Sequence, residues 1–201
     1  MIINIRGTNG SGKTTLARAF QNGSAQLVNL VQYAAPTKRN PGQMKWVTGV
    51  LSHFPALGRV ICVGSYSQAQ GGLDTVGNFD LQQAAVFRAI HEAEHVICEG
   101  ILASTVAGSW LKFFGDLDRG GEGVAVGYMD TPVEVCLERI RERQARAGKV
   151  RDIKEDQVRD KVRSIAATRS KFDAAGIRTF DIPGRGDFGA EVVRKVMMGE
   201  L

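Results

Sequence analysis

Ile2-Ile3-Asn4-Ile5-Arg6-Gly7-Thr8-Asn9-Gly10-Ser11-Gly12-Lys13-Thr14 is the stretch whose reading decides the fold. Met1 to Arg6 is a short β-prone run, and from Lys13 to Gln21 the apolar spacing is helical. Between them, Gly7 to Thr14 matches G-x-x-x-x-G-K-[ST] in full, and a strand before it and a helix after it are the context that gives the pattern meaning. Glycines let the backbone bend so that successive N–H groups face a phosphate at the start of the helix. Lys13 is then placed to reach β and γ phosphates, and the Thr14 hydroxyl to take a magnesium position. Asn9, Gly10, Ser11, Gly12 and Thr15 complete the expected nucleotide cradle.

Working outward, the same alternation repeats. Ala25 to Tyr33, Arg59 to Gly64, Val96 to Cys98, Val124 to Met129 and Ile177 to Ile182 read as strands, while Trp46 to Leu51 is ambiguous. Helical spacing covers Phe79 to His95, Ile101 to Phe114, Pro132 to Ala147 (with Pro in the first turn) and Phe188 to Met198. Thr37 to Gly42, Ser65 to Gly77 and Gly120 to Gly123 read as loops. Strands that are continuous apolar runs, alternating with helices, predict a parallel sheet of about five strands flanked by helices on both faces. No linker or repeat divides the chain, so one domain over residues 1–201 is expected, with a basic helical lid at about 139–163.

The net charge of +5 conceals an asymmetry. Residues 1–73 contain no Asp or Glu, yet carry Arg6, Lys13, Arg18, Lys38, Arg39, Lys45 and Arg59. Such a balance suits polyanionic ligands. The apolar runs fall far short of the roughly 18 residues a membrane span needs, and no signal-peptide layout is present, which predicts a soluble cytoplasmic chain with no membrane partner. Cys62, Cys98 and Cys136 are too far apart for a zinc site or a disulfide framework and read as buried hydrophobes. His91-Glu92-Ala93-Glu94-His95 fits H-E-x-x-H, but that pattern needs both histidines in one helix, and His95 abuts the strand at Val96.

Glu99, ending an apolar strand, is expected at the sheet edge where α/β proteins bind ligands, holding a magnesium-bound water or the acceptor. Arg139 and Arg143, spaced i, i+4 with Arg146 three residues on, are placed to stabilise charge on a transferring phosphoryl group. There is no Asn-Lys-x-Asp, which argues against a switch GTPase.

These residues resemble the P-loop kinases of small molecules and nucleotides, through Gly7 to Thr14, Glu99-Gly100 and Met129 to Arg139. Within that group, Arg6 to Lys13, Gly64-Ser65-Tyr66, Gly71-Gly72-Leu73-Asp74-Thr75, Asp80 and Cys98-Glu99-Gly100 are similar to the phage 5-hydroxymethyluracil DNA kinases, over positions 2 to about 147. The resemblance implies transfer of phosphate from ATP, with Mg2+, to the hydroxymethyl of 5-hydroxymethyldeoxyuridine already in DNA, a step in thymine hypermodification. It implies Tyr66, Gly71, Gly72 and Asp80 near the substrate. A primary alcohol attacks phosphorus best when a carboxylate accepts its proton, and Asp74, beside two glycines, is the expected base. A base within duplex DNA must be swung out and stacked, a role open to Tyr66, while Lys38, Arg39, Lys45 and Arg59 are expected to line the DNA backbone. The alternatives are a free nucleoside or nucleotide monophosphate kinase and a nucleic-acid-dependent ATPase.

Overall fold

Five apolar strands lie side by side and parallel: β4 (Gly58–Val63), β5 (His95–Glu99), β1 (Ile2–Arg6), β6 (Val124–Asp130) and β7 (Arg178–Pro183). This computed structural model describes residues 1–67, 71–148 and 152–201. Alternation along β1 sorts the core into two halves. Ile2 faces one side with Val96 and Val126, under α2 (Phe79–Ala89), α4 (Gly108–Arg119) and α6 (Glu155–Ala174). Ile3 and Ile5 face the other with Ile97 and Ala125, under α1 (Lys13–Arg18) and α7 (Gly186–Met198). Burial on both faces is why β4, β5, β1 and β6 read as largely apolar runs, while β7 at the sheet edge buries only Ile182. Cys62, Cys98 and Cys136 are all buried, and burial pushes the Cys62 and Cys98 thiols up to about 12. No helix among the described residues is long and apolar enough to cross a membrane.

The sheet has seven strands, not about five, and is not wholly parallel. An antiparallel hairpin, β2 (Gln26–Ala34) and β3 (Met44–Phe54), joins the β4 edge, giving the order β2-β3-β4-β5-β1-β6-β7. The ambiguous Trp46 to Leu51 segment is the middle of β3. Its exposed Trp46 and buried Val47 follow the alternation of a half-covered strand.

Other boundaries shift for local reasons. The expected helix to Gln21 ends at Arg18, because the amides of Phe20 and Gln21 bond three residues back and tighten the turn. The stretch to His95 stops at Ala89, since His95 is recruited by Val60 into the ladder. His91 and His95 therefore do not share a helix. Ile101 to Phe114 is two helices, α3 (Ile101–Thr105) and α4, interrupted at Val106 in extended conformation. The Ser104 and Thr105 hydroxyls donate back to the carbonyls of Gly100 and Ile101, which weakens helix continuation.

The expected basic lid at 139–163 contains the second half of α5 (Val133–Arg146) and the first half of α6, a twenty-residue helix that charge-dominated reading missed. Cys136, Leu137 and Ile140 pack on Val158 to join the two helices. Residues 149–151 of that stretch, like 68–70 of the Ser65 to Gly77 loop, lie outside the described residues.

Candidate active site

The site forms at the carboxyl edge of the parallel strands, beside the central strand β1, where the chain leaves one side of the sheet for the other. The glycine loop Gly7–Gly12 follows β1, and its foot is tied to α3: the Gly7 amide donates to Ser104 Oγ at 3.2 Å. Its outer wall is held by carbonyl contacts. Thr131 Oγ1 donates to Ser11 O at 2.9 Å, while Arg139 donates to Gly10 O (3.3 Å), Ser11 O (3.4 Å) and Gly184 O (3.1 Å). Gly10 lies at φ +79, and a Cβ there would sit 2.3 Å from the Cys136 carbonyl, so only glycine lets the loop approach α5. With its carbonyls turned outward, no acceptor among the described residues takes the amides of Gly10, Gly12, Lys13 or Thr14. They are donors for an anion.

In front of the loop lies a cavity of about 670 Å³. It brings together Asn9, Gly10, Gly12, Lys13, Thr14 and Thr15 from the expected cradle, with Asp74, Glu99, Arg139 and Arg143. Ser11 is buried just behind. Lys13 Nζ donates to Thr8 O at 3.1 Å; burial pulls its pKa down, opposed by the carboxylates of Glu99 and Asp74. Glu99 is 1% exposed, and burial raises its carboxyl to about 7 against an ordinary 4.5, even with Lys13 and the Thr14 hydroxyl drawing it down. Thr14 Oγ1 donates to Glu99 Oε1 at 2.9 Å. Asp74 stands in a short 3-10 turn, Leu73–Thr75, exposed to solvent, and its Oδ1 accepts from the Ile101 amide at 2.7 Å. One carboxylate oxygen thus caps α3 and the other is unengaged among the described residues.

Of the four residues expected near the substrate, none lines the cavity, although Gly71 and Gly72 pack directly beside its Thr14 and Glu99. Tyr66 is 8% exposed in the core with Leu16 and Ala17, its hydroxyl unbonded among the described residues, so its ring offers no stacking face. Apolar neighbours on the α1 face of the sheet surround it. Gly71 and Gly72 serve packing. Gly72 lies at φ +64, and a Cβ there would meet Glu99 O at 2.5 Å and Oε1 at 2.7 Å, so its bareness lets the loop close over Glu99. Asp80 lies exposed in the first turn of α2, outside the cavity wall. Arg59, expected to line the DNA backbone, sits at the amino end of β4, away from the cavity at the strands' carboxyl ends, and is ion-paired to Glu94 at 2.9 Å.

Three features escaped sequence reading. Arg18 lines the cavity and donates to the Tyr66 carbonyl at 3.0 Å; its i, i+4 spacing from Thr14 was the available signal. The Pro183–Gly184 turn after β7 forms the far wall, without a residue type that advertises it. Arg6 is wholly buried over the Phe172 ring and bonds Asn4, Ser104 and Thr168. Burial lowers its pKa to about 10.

A family model described as 5-hmdU DNA kinase matches residues 1–175. Among characterised relatives, the 5-hmdU DNA kinase of Pseudomonas phage M6 is 34% identical over 193 residues, covering 90% of this chain and 89% of that protein. That of Bacillus phage SP10 is 31% identical over 188 residues, 90% of this chain but 26% of a much longer protein. That of Pseudomonas phage PaMx11 is 29% identical over 194 residues, with 94% of each covered.

Proposed function

This chain belongs to the 5-hmdU DNA kinase family, and from that premise we propose that it phosphorylates the 5-hydroxymethyl group of 5-hydroxymethyldeoxyuridine in phage DNA, using ATP. It is a kinase. The observation that carries the reading is the convergence of Lys13, Thr14, Asp74 and Glu99 on one cavity before a loop of unsatisfied amides. The whole chain acts as one P-loop kinase domain in the host cytoplasm, with α5 and α6 as its lid.

The polyphosphate lies along the amides of residues 9–15, with Lys13 toward the γ phosphate. Arg143, which has no ion pair or hydrogen bond among the described residues, faces the same space. Arg139 is committed to three carbonyls and so fixes the cradle's shape. Thr14 and Glu99 would hold a magnesium ion: the pair is already 2.9 Å apart, and a carboxyl raised by burial is the group a cation would relieve. When bound, the ion supplies charge neutralisation on the phosphates.

Asp74, the exposed carboxylate, accepts the alcohol proton as the substrate oxygen bonds to the γ phosphorus and the bond to the ADP oxygen breaks. The products are ADP and the phosphorylated hydroxymethyl base. Labelled ATP offered to hydroxymethyluracil DNA, ordinary DNA and free mononucleotides tests this. Label in the first alone is expected; label in a mononucleotide but not in DNA overturns the DNA acceptor.

A further inference from the structure

The β2–β3 hairpin reaches beyond the rest of the sheet. Gly49 of β3 pairs with Val63, the last residue of β4, so Met44 to Thr48 continue past the end of β4, held there by the Gly64 amide on the Thr48 carbonyl at 2.7 Å and otherwise paired with β2 alone. Five residues of strand extend about 17 Å, on the same edge as the catalytic cavity. The tip is ordered by its own backbone: Thr37 and Asn40 exchange N–H···O bonds at 2.9 and 3.1 Å, and the Ala35 amide donates to Gln43 O at 2.8 Å. It is a formed arm.

Its two faces differ. Val47 and Leu30 are buried against α2, whereas Leu27, Met44 and Trp46 on the other face are 70%, 51% and 46% exposed. Trp46 pairs with Gln32 and Met44 with Ala34, so the uncovered face offers a tryptophan and a methionine among small or neutral neighbours. Lys38 and Arg39 lie in the loop that joins the two strands, and Lys45, opposite Tyr33, projects from the Val47 face; none is in an ion pair among the described residues, and no acidic residue occurs in the first 73 positions. An apolar face on an arm that carries three cations, none ion-paired among the described residues, fits a polyanion that also has flat apolar surfaces. Duplex DNA has both. A two-stranded ribbon also fits a major groove about 12 Å wide and 8.5 Å deep.

We propose that this arm docks the DNA duplex, Lys38, Arg39 and Lys45 contacting phosphates and Trp46 with Met44 pressing on bases beside the target nucleotide. The inference rests on the DNA-acceptor reading and names the surface that delivers that acceptor. It also gives the stacking task, for which Tyr66 is too buried, to an exposed aromatic.

The test measures binding of a labelled hydroxymethyluracil duplex over a salt series. Replacing Lys38, Arg39 and Lys45 together with Ala should flatten the slope of log affinity against log salt by roughly 2.7, at about 0.9 per lost contact. Trp46→Ala should weaken binding about ten-fold. DNA should quench tryptophan fluorescence in the parent but not in Trp46→Phe, since Trp110, the other tryptophan, is wholly buried. Thermal melts of the variants, all changed at exposed positions, check folding. Unchanged slopes and affinities overturn the arm while parent labelling of DNA leaves the kinase reading standing. Arm-dependent binding without label transfer to DNA keeps the arm and overturns the acceptor. A parent dimer that Trp46→Ala dissolves would show that a second copy covers this face, and would also overturn the proposal.

Discussion

Glu99→Gln removes a charge that the folded protein holds at a cost, and the pH dependence of stability reads that cost directly. The carboxyl ionises at about 7 in the folded chain against an ordinary 4.5. Below 4.5 both folded and unfolded chains carry it neutral, and it contributes no difference. Between 4.5 and about 7 the unfolded chain releases the proton first, so stability on this group's account falls as pH rises. Above 7 the penalty is constant, about 3 kcal/mol at about 1.4 kcal/mol per pH unit. The pull of Lys13 is already contained in the raised value. Glutamine keeps the shape and an oxygen for the Thr14 hydroxyl, without the charge.

The variant should therefore match the parent near pH 4 and exceed it by about 3 kcal/mol at pH 8. For a chain of this size that is a rise in Tm of roughly 6–12 °C. Denaturation of both proteins across pH 4–8.5 gives a difference curve in which other groups cancel. A flat difference, or a variant less stable at pH 8, would refute the claim that burial dominates at Glu99. Kinase assays on the same variant should show a raised magnesium requirement.

Asp74→Asn keeps the cap on the Ile101 amide and loses the base, so melting should be unchanged while turnover falls at least a hundred-fold with ATP affinity retained; Asp74→Ala should additionally lose about 1 kcal/mol of stability. Equal kinetics in Asp74→Asn and the parent would assign Asp74 to capping alone. Gly72→Ala places a Cβ 2.5 Å from the Glu99 carbonyl at positive φ, and should lower stability by more than about 1 kcal/mol and turnover with it. A fully active, equally stable variant would mean the loop does not close over Glu99. Arg139→Lys cannot span the Gly10, Ser11 and Gly184 carbonyls at once, so its KM for ATP should rise about ten-fold, the scale of one charged hydrogen bond; unchanged KM would detach Arg139 from the cradle.

What the sequence made legible depended on whether one local pattern carried the information. Gly7 to Thr14 did, because spacing, glycine content and flanking periodicity all point one way. Glu99 was legible from an apolar strand ending in a carboxylate. Tyr66 was not, because a Gly-Ser-Tyr loop at a sheet edge looks exposed until the loop is seen folded onto β5. Arg59 and Lys45 looked equivalent in an acid-free run, yet strand register sends one to the amino edge, paired with Glu94, and the other to the overhanging arm. Register is a long-range property, set by which strands pair, and no local spacing contains it. The same holds for α6: its apolar positions Val158, Ile165 and Phe172 have helical spacing but are outnumbered by charges, and only the sheet and α5 beneath them mark the buried stripe.

The electrostatics of the cavity connect these observations. Lys13 is drawn toward neutrality by burial and Glu99 is pushed the same way, so each charged form is disfavoured in the free protein. Their mutual attraction offsets only part of that. A phosphate placed at Lys13 and a cation placed at Glu99 would each restore the ordinary ionisation of the neighbouring side chain, and both arrive together in a metal-bound nucleotide. The loop adds amides with no acceptor among the described residues, fixed from behind by Thr131 and Arg139, so the donors need little reorganisation when an anion enters. Asp74 differs: it is solvent-exposed, half engaged as a cap, and stands on the cavity wall. Binding groups are thus desolvated and strained by charge, while the proposed base is left accessible, a division that suits an acceptor too large to enter the cavity whole.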